Sequence, residues 1–155
     1  MAFIQLSDLN GTKKIMIFAE GTIIKPKSWF SLYNHNAYIP IGNAVGIIGG
    51  WRQQGADISY CTSRRGKQAK EIAALLKRYG FAGSKLYYRE KERRYNEIVE
   101  LIQPDILIED DCKSIGGGWQ MCITYVNPKI KSKIKSIVVK EFKGIDHLPL
   151  SLREL

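Results

Sequence analysis

The chain has no apolar run near the roughly 20 residues that a membrane-spanning helix requires. Its three cysteines, Cys61, Cys112 and Cys122, are an odd number and contain no Cys-x-x-Cys pair. That excludes a disulfide framework and a cysteine-based zinc site, and buried or neutral thiols are expected. Histidine is scarce, with two residues. His35 and His147 stand without a Ser or Cys nucleophile motif, so both are expected to be structural. The glycines Gly46, Gly49 and Gly50 do not form a phosphate loop, because no Gly-Lys-Ser/Thr and no preceding strand accompany them. Residues 1–8 lack the basic start and apolar core of a signal peptide, and a cytoplasmic location is the expectation. Acidic residues are outnumbered, 15 against 24 Lys plus Arg, for a net charge of +9. That balance favours anionic partners: phosphorylated metabolites, nucleotides or nucleic acid. The charges are spread along the chain, so a solvated basic surface accounts for the same balance.

What is present fits one α/β domain of 155 residues, long enough for a sizeable core. Ile15-Met16-Ile17-Phe18 has the length and make-up of a strand buried on both faces, as in a parallel sheet. Ala19-Glu20-Gly21-Thr22 then reads as a tight loop at the strand's carboxyl end, where open α/β sheets place their ligands. The following 24–40 is aromatic and broken by prolines, too short for more than a small flap; Trp29, Phe30 and Tyr33 are expected to pack on the body. Asn43 is placed to cap a helix carrying Ala44, Ile47, Ile48 and Trp51, and Gly55 ends it before a second strand at 56–61.

Further strands are expected at 84–89, 105–108, 121–126 and 136–140, and helices over Ala69–Leu76 and Tyr95–Ile102. In 129–135, Ile130 and Ile134 with Ile137 predict a docked helix with a lysine-rich outer face, which is also the best nucleic-acid candidate in the chain. Phe142, Leu148 and Leu150 are expected to anchor the tail. The C-terminal unit thus spans 127–155 of a single domain over 1–155.

Two strand tips carry chemistry. At the second strand's end, Thr62-Ser63-Arg64-Arg65-Gly66 sets hydroxyls before a helix whose N-terminus would face an anion; Thr62 is the first choice for that contact and Ser63 the second. A structural role in the turn is the alternative. At the end of 105–108, Glu109-Asp110-Asp111 places three carboxylates in a row, which repel one another unless a cation such as Mg²⁺ binds or the turn is simply exposed.

These positions, in order, resemble the motifs of the haloacid dehalogenase (HAD) superfamily, which opens with a hydrophobic strand and Asp-x-Asp-Gly-Thr. Here that motif reads Phe18-Ala19-Glu20-Gly21-Thr22, and with Ile108-Glu109-Asp110-Asp111 it is similar to an uncharacterised microbial branch. The resemblance implies a Rossmann-like three-layer sandwich with a mainly parallel central sheet and a minimal cap. It implies a Mg²⁺-dependent phosphatase-like hydrolase in which Glu20 is the acid/base, Thr62 holds phosphate and Asp110, with Glu109 and Asp111, binds metal. A basic residue balances charge, and Arg94, Lys91 and Arg93 all qualify. The nucleophile's place is taken by Phe18, which neither attacks phosphorus nor binds metal, so water must attack directly in an active enzyme. Three function classes follow: a phosphohydrolase acting on a phosphorylated metabolite or nucleotide, a silent relative that binds a phosphorylated ligand, and a basic nucleic-acid-binding protein.

Overall fold

The computed structural model describes residues 2–6, 12–90 and 93–155. Strand β2 (Lys13–Phe18) lies inside a six-stranded sheet, parallel to β5 (Ala56–Thr62) on one side and to β7 (Ile106–Asp110) on the other. β6 (Lys85–Tyr88) extends the sheet beyond β5, and β8 (Lys135–Val139) extends it beyond β7, both in parallel. β1 (Phe3–Gln5) closes the far edge antiparallel to β6, giving the order β1-β6-β5-β2-β7-β8.

The alternation of β2 decides which side chains meet which layer. Ile15 and Ile17 join Ile58, Tyr60, Ile106 and Ile108 in a core covered by α1 (Ala44–Gln53) and α2 (Gly66–Arg78). Met16 joins Cys61, Tyr87 and Leu107 in a second core under α3 (Tyr95–Ile102) and the segment from Cys122 to Ile134. Helices thus cover both faces of a mostly parallel sheet, a Rossmann-like three-layer sandwich. No helix of the described residues is long and apolar enough to cross a membrane.

The chain leaves β2 toward the α1 layer and leaves β7 toward the α3 layer. The crevice between those two strand ends is the switch point at which ligands bind in such sheets. Over it stands a small hairpin, β3 (Ile24–Pro26) antiparallel to β4 (Tyr38–Pro40), whose connection forms two 3₁₀ turns, Trp29–Ser31 and His35–Ala37. His35 is buried there, 3.4 Å from Glu71, with its ring against Tyr38.

Several sequence expectations are corrected. Trp29, Phe30 and Tyr33 do not pack on the body; they are 83%, 102% and 94% exposed. Helix α3 begins at Tyr95, as expected, and Arg93 and Arg94 just before it are not helical. Residues 121–126 form a 3₁₀ turn over Cys122–Tyr125 instead of a strand, since a buried carboxylate there takes up two of its backbone N–H groups. The lysine-rich run yields one short helix, α4 (Pro128–Lys131), capped by Asn127. Its continuation is taken over by sheet pairing, with the Lys135 N–H donating to the Asp105 carbonyl at 2.9 Å, so Ile137 is a strand residue. Lys129, Lys131, Lys133 and Lys135 remain exposed. In the tail Leu148 packs partly on the core, but Leu150 is exposed and Phe142 has over a third of its surface open, and Ile145, Leu152 and Leu155 are the buried anchors.

Trp51 ties that tail to α1. Its side chain is fully buried, and its indole N–H donates to the Pro149 carbonyl at 2.9 Å. Trp51→Ala is expected to cost about 3–5 kcal/mol. Trp51→Phe, which loses chiefly the hydrogen bond, is expected to cost clearly less. Urea titration monitored by circular dichroism checks both, and an alanine variant as stable as wild type would contradict this packing.

Candidate functional site at the carboxyl ends of the central strands

After Phe18 the chain doubles back. The N–H groups of Ile23 and Ile24 donate to the Ala19 carbonyl at 3.0 and 3.1 Å, and the Gly21 N–H donates to the Ile24 carbonyl at 2.9 Å. Gly21 has φ +81°, and a Cβ built there would lie 2.9 Å from Asp110 Oδ1. Both the left-handed conformation and the close approach require glycine. The β7 tip therefore rests directly on the β2 loop. The Thr22 hydroxyl donates to Asp110 Oδ1 at 3.2 Å, and the Cys112 N–H donates to Asp110 Oδ2 at 3.0 Å.

Beside this contact, Glu20 meets the tip of β5. The Thr62 hydroxyl donates to Glu20 Oε1 at 2.5 Å and accepts from the Arg64 N–H at 3.1 Å. The Arg64 guanidinium lies 3.7 Å from the same carboxylate oxygen. The Glu20 side chain is 14% exposed, so solvent or a ligand reaches it. Burial raises its carboxyl above the ordinary range, opposed by the Thr62 hydrogen bond, Arg64 and His35.

A third group lies on the β8 side. Asp110, Asp111 and Glu141 can each offer a carboxylate oxygen, all within 4.8 Å of one another. Asp111 Oδ1 accepts the N–H groups of Lys113 at 3.3 Å and Glu141 at 3.2 Å, while Glu141 accepts the Ser114 N–H at 2.8 Å and its hydroxyl at 2.7 Å. Burial raises Asp110 too, against the Cys112 N–H and the Thr22 hydroxyl. A convergent set of hard carboxylate oxygens is the donor type a divalent cation such as Mg²⁺ takes, and its charge would offset their repulsion. Lys113, Lys140 and Lys143 line the same open cavity of about 430 Å³ with Asp111, Ser114 and Glu141.

Glu109 is absent from this group, contrary to the sequence expectation. Alternation along β7 puts it on the face of Leu107, pointing into the second core. There its carboxylate, 2% exposed, accepts the Cys122 N–H at 2.7 Å and the Ile123 N–H at 3.1 Å. It is the internal cap of the Cys122 turn. The basic partner is also relocated. Arg93 and Arg94 are exposed ahead of α3, with Arg93 3.9 Å from Glu90; Lys91 lies outside the described residues. The guanidinium beside Glu20 belongs to Arg64. Ser63 is exposed, and Thr62 is wholly buried with its hydroxyl already shared between Glu20 and Arg64.

Phe18 is half-buried and packs edge-on against Tyr95, ring centroids 5.6 Å apart. The thiols fit the expectation of neutral groups. Burial raises all three, Cys112 to about 12. Two contributors escaped the sequence: Arg64, whose signal was its place two residues after the strand-tip hydroxyl, and Glu141, which only the pairing of β7 with β8 brings to Asp111.

No family model matches the chain, and no curated protein matches it. Among solved structures, a chain of the Pnkp1/Rnl/Hen1 RNA repair complex is similar, with a TM-score of 0.60 and 14% sequence identity. The match covers 84% of this chain and 43% of that one, so this chain spans less than half of the other's length. At this identity the likeness shows the fold.

Glu109 also sets a pH dependence. Burial pushes its carboxyl from 4.5 up to about 7, against the two backbone N–H groups. The folded chain then holds this proton more tightly than the unfolded chain. The stabilisation is full below pH 4.5 and is lost as pH rises through about 7. At about 1.4 kcal/mol per pH unit, the loss amounts to at most about 3.5 kcal/mol. Urea titrations in EDTA between pH 4.5 and 8 are expected to show a smaller decline for Glu109→Gln than for wild type. Parallel profiles would contradict this assignment.

Proposed function

We propose that the chain is a HAD-like phosphate-ester hydrolase of altered mechanism, acting on a phosphorylated metabolite or nucleotide. The observation that carries this is the meeting, around Gly21, of the Glu20–Thr62–Arg64 group with Asp110 and its carboxylate neighbours. The order of these elements along the chain, each at the carboxyl end of a parallel strand, supports the family resemblance.

Asp110, Asp111 and Glu141 would hold Mg²⁺, which when bound supplies Lewis-acid polarisation of a phosphoryl oxygen. Arg64 and the Thr62 hydroxyl are placed to exchange Glu20 for a phosphoryl oxygen, with the guanidinium balancing its charge. No carboxylate stands at position 18, so the bond to phosphorus is formed by a water oxygen. As the ester P–O bond breaks, Glu20 in its protonated form would give its proton to the leaving oxygen. The water's proton passes to solvent and Glu20 is reprotonated there, leaving free phosphate and an alcohol. Phe18, packed on Tyr95, keeps the former nucleophile position apolar.

One arrangement favours a second reading, that of a ligand-binding relative without turnover. The Thr62 hydroxyl is fully engaged within the protein and Phe18 fills a packed place. Turnover separates the two. Hydrolysis of a panel of phosphate esters in Mg²⁺ or Mn²⁺ is expected, abolished by EDTA and lowered about 100-fold or more by Glu20→Gln or Asp110→Asn. The absence of metal-dependent turnover above the level of these variants would overturn the hydrolase and leave the binding protein.

A further inference from the structure

The flap and the tail meet beside the catalytic loop. Lys25, Pro26, Lys27, Ser28, Trp29 and Leu32 of the hairpin enclose a cavity of about 350 Å³ with Phe142. That volume falls in the lower part of the roughly 300–1,000 Å³ range of small-molecule sites. Its lining is tied through the backbone to the site already described. β3 begins three residues after Gly21, the Phe142 N–H donates to the Gly21 carbonyl at 2.8 Å, and the preceding residue, Glu141, belongs to the acidic trio.

Its lining is unusual for a solvated surface. Trp29 is 83% exposed, and Phe142 is held at φ +62° with over a third of its surface open. That φ is strained for an aromatic residue, and it presents the ring where its own core does not need it. Lys25 and Lys27 line the same cavity as these rings. Aromatic faces interleaved with cations recognise a flat ring that carries negative charge nearby, as in single-stranded nucleic-acid and nucleotide sites.

We infer that this cavity is a nucleobase subsite, so that the phosphate ester handled at Glu20 and Asp110 is a nucleotide or the phosphorylated end of a single-stranded nucleic acid. The inference rests on the proposed phosphate site. The base stacks on Trp29 and Phe142, and Lys25 and Lys27 meet further phosphates or solvent-facing oxygens. With one subsite of this size, one base is held; neighbouring nucleotides would run along exposed Phe30 and Tyr33.

The test is binding to the full chain with Mg²⁺ at 4 °C, on a time scale short against turnover. Ribose 5-phosphate, a nucleoside 5′-monophosphate and a 5′-phosphorylated single-stranded hexanucleotide are titrated into wild type, Trp29→Ala and Lys25→Glu/Lys27→Glu. Because these three side chains lie on the flap surface and Trp29 is exposed, the variants are expected to keep the fold, checked by circular dichroism. The nucleotide is expected to bind at least about fivefold more tightly than ribose 5-phosphate, the low end of one base–aromatic stack. Trp29→Ala is expected to remove that preference while leaving ribose 5-phosphate affinity unchanged. A hexanucleotide that binds more tightly than the mononucleotide, with the excess lost in the lysine variant and at high salt, assigns the nucleic-acid end; equal affinity assigns the nucleotide. Equal binding of ribose phosphate and nucleotide, or a base preference indifferent to Trp29→Ala, overturns the subsite and spares the phosphate site. If none of the three binds, both fall.

Discussion

The contact between Gly21 and the Asp110 carboxylate is the constraint from which the site's arrangement follows. It exists because β2 pairs in parallel with β7, in a register that sets Ile17 against Ile108 and so brings the two strand ends level. With no side chain at position 21, the carboxylate lies against the loop backbone, and Thr22 is turned to donate to it. The same loop then holds Glu20 toward the tip of β5, where Thr62 and Arg64 receive it. Phe142 closes the far side by donating to the Gly21 carbonyl, and this fixes Glu141 next to Asp111. A bulkier residue at position 21 would disturb all three groups together.

Electrostatically the site is a small acidic centre in a protein of net charge +9. The trio of carboxylates concentrates negative charge at short range. Lys113, Lys140 and Lys143 line the same cavity, and Lys25 and Lys27 line the neighbouring one, so an approaching anion meets positive charge first. Burial raises both Glu20 and Asp110. The contact of Phe18 with Tyr95 couples the end of β2 to the α3 layer.

Much of this arrangement was legible in the sequence wherever local pattern and burial agree. The apolar run 15–18, the helical spacing of Ala44, Ile47, Ile48 and Trp51, and the hydroxyl at the tip of β5 are local signals, and each lies where its pattern places it. Misplacements arose where tertiary pairing decides. Glu109 and Asp110 are indistinguishable as neighbours in sequence, yet alternation along β7 sends one into the core as a cap and the other into the crevice. Ile130, Ile134 and Ile137 have helical spacing, but pairing with β7 converts the last of them to strand. Glu141 follows the last strand by two residues and carries no motif; only the neighbouring of β7 and β8 gives it a role. Leu150 looks as apolar as Leu152, and the path of the tail over α1 alone decides which one is buried.

The central claim is that Asp110, Asp111 and Glu141 form one divalent-cation site coupled to Glu20 through Gly21. The most direct test is titration of the metal-free chain with Mn²⁺, followed by electron paramagnetic resonance, with Mg²⁺ as competitor. The account predicts one site per chain, displaced by Mg²⁺, weakened at least about tenfold in Asp110→Asn and in Glu141→Gln, and unaffected by Glu109→Gln. Absence of Mn²⁺ binding, or binding indifferent to Asp110 and Glu141, would contradict it.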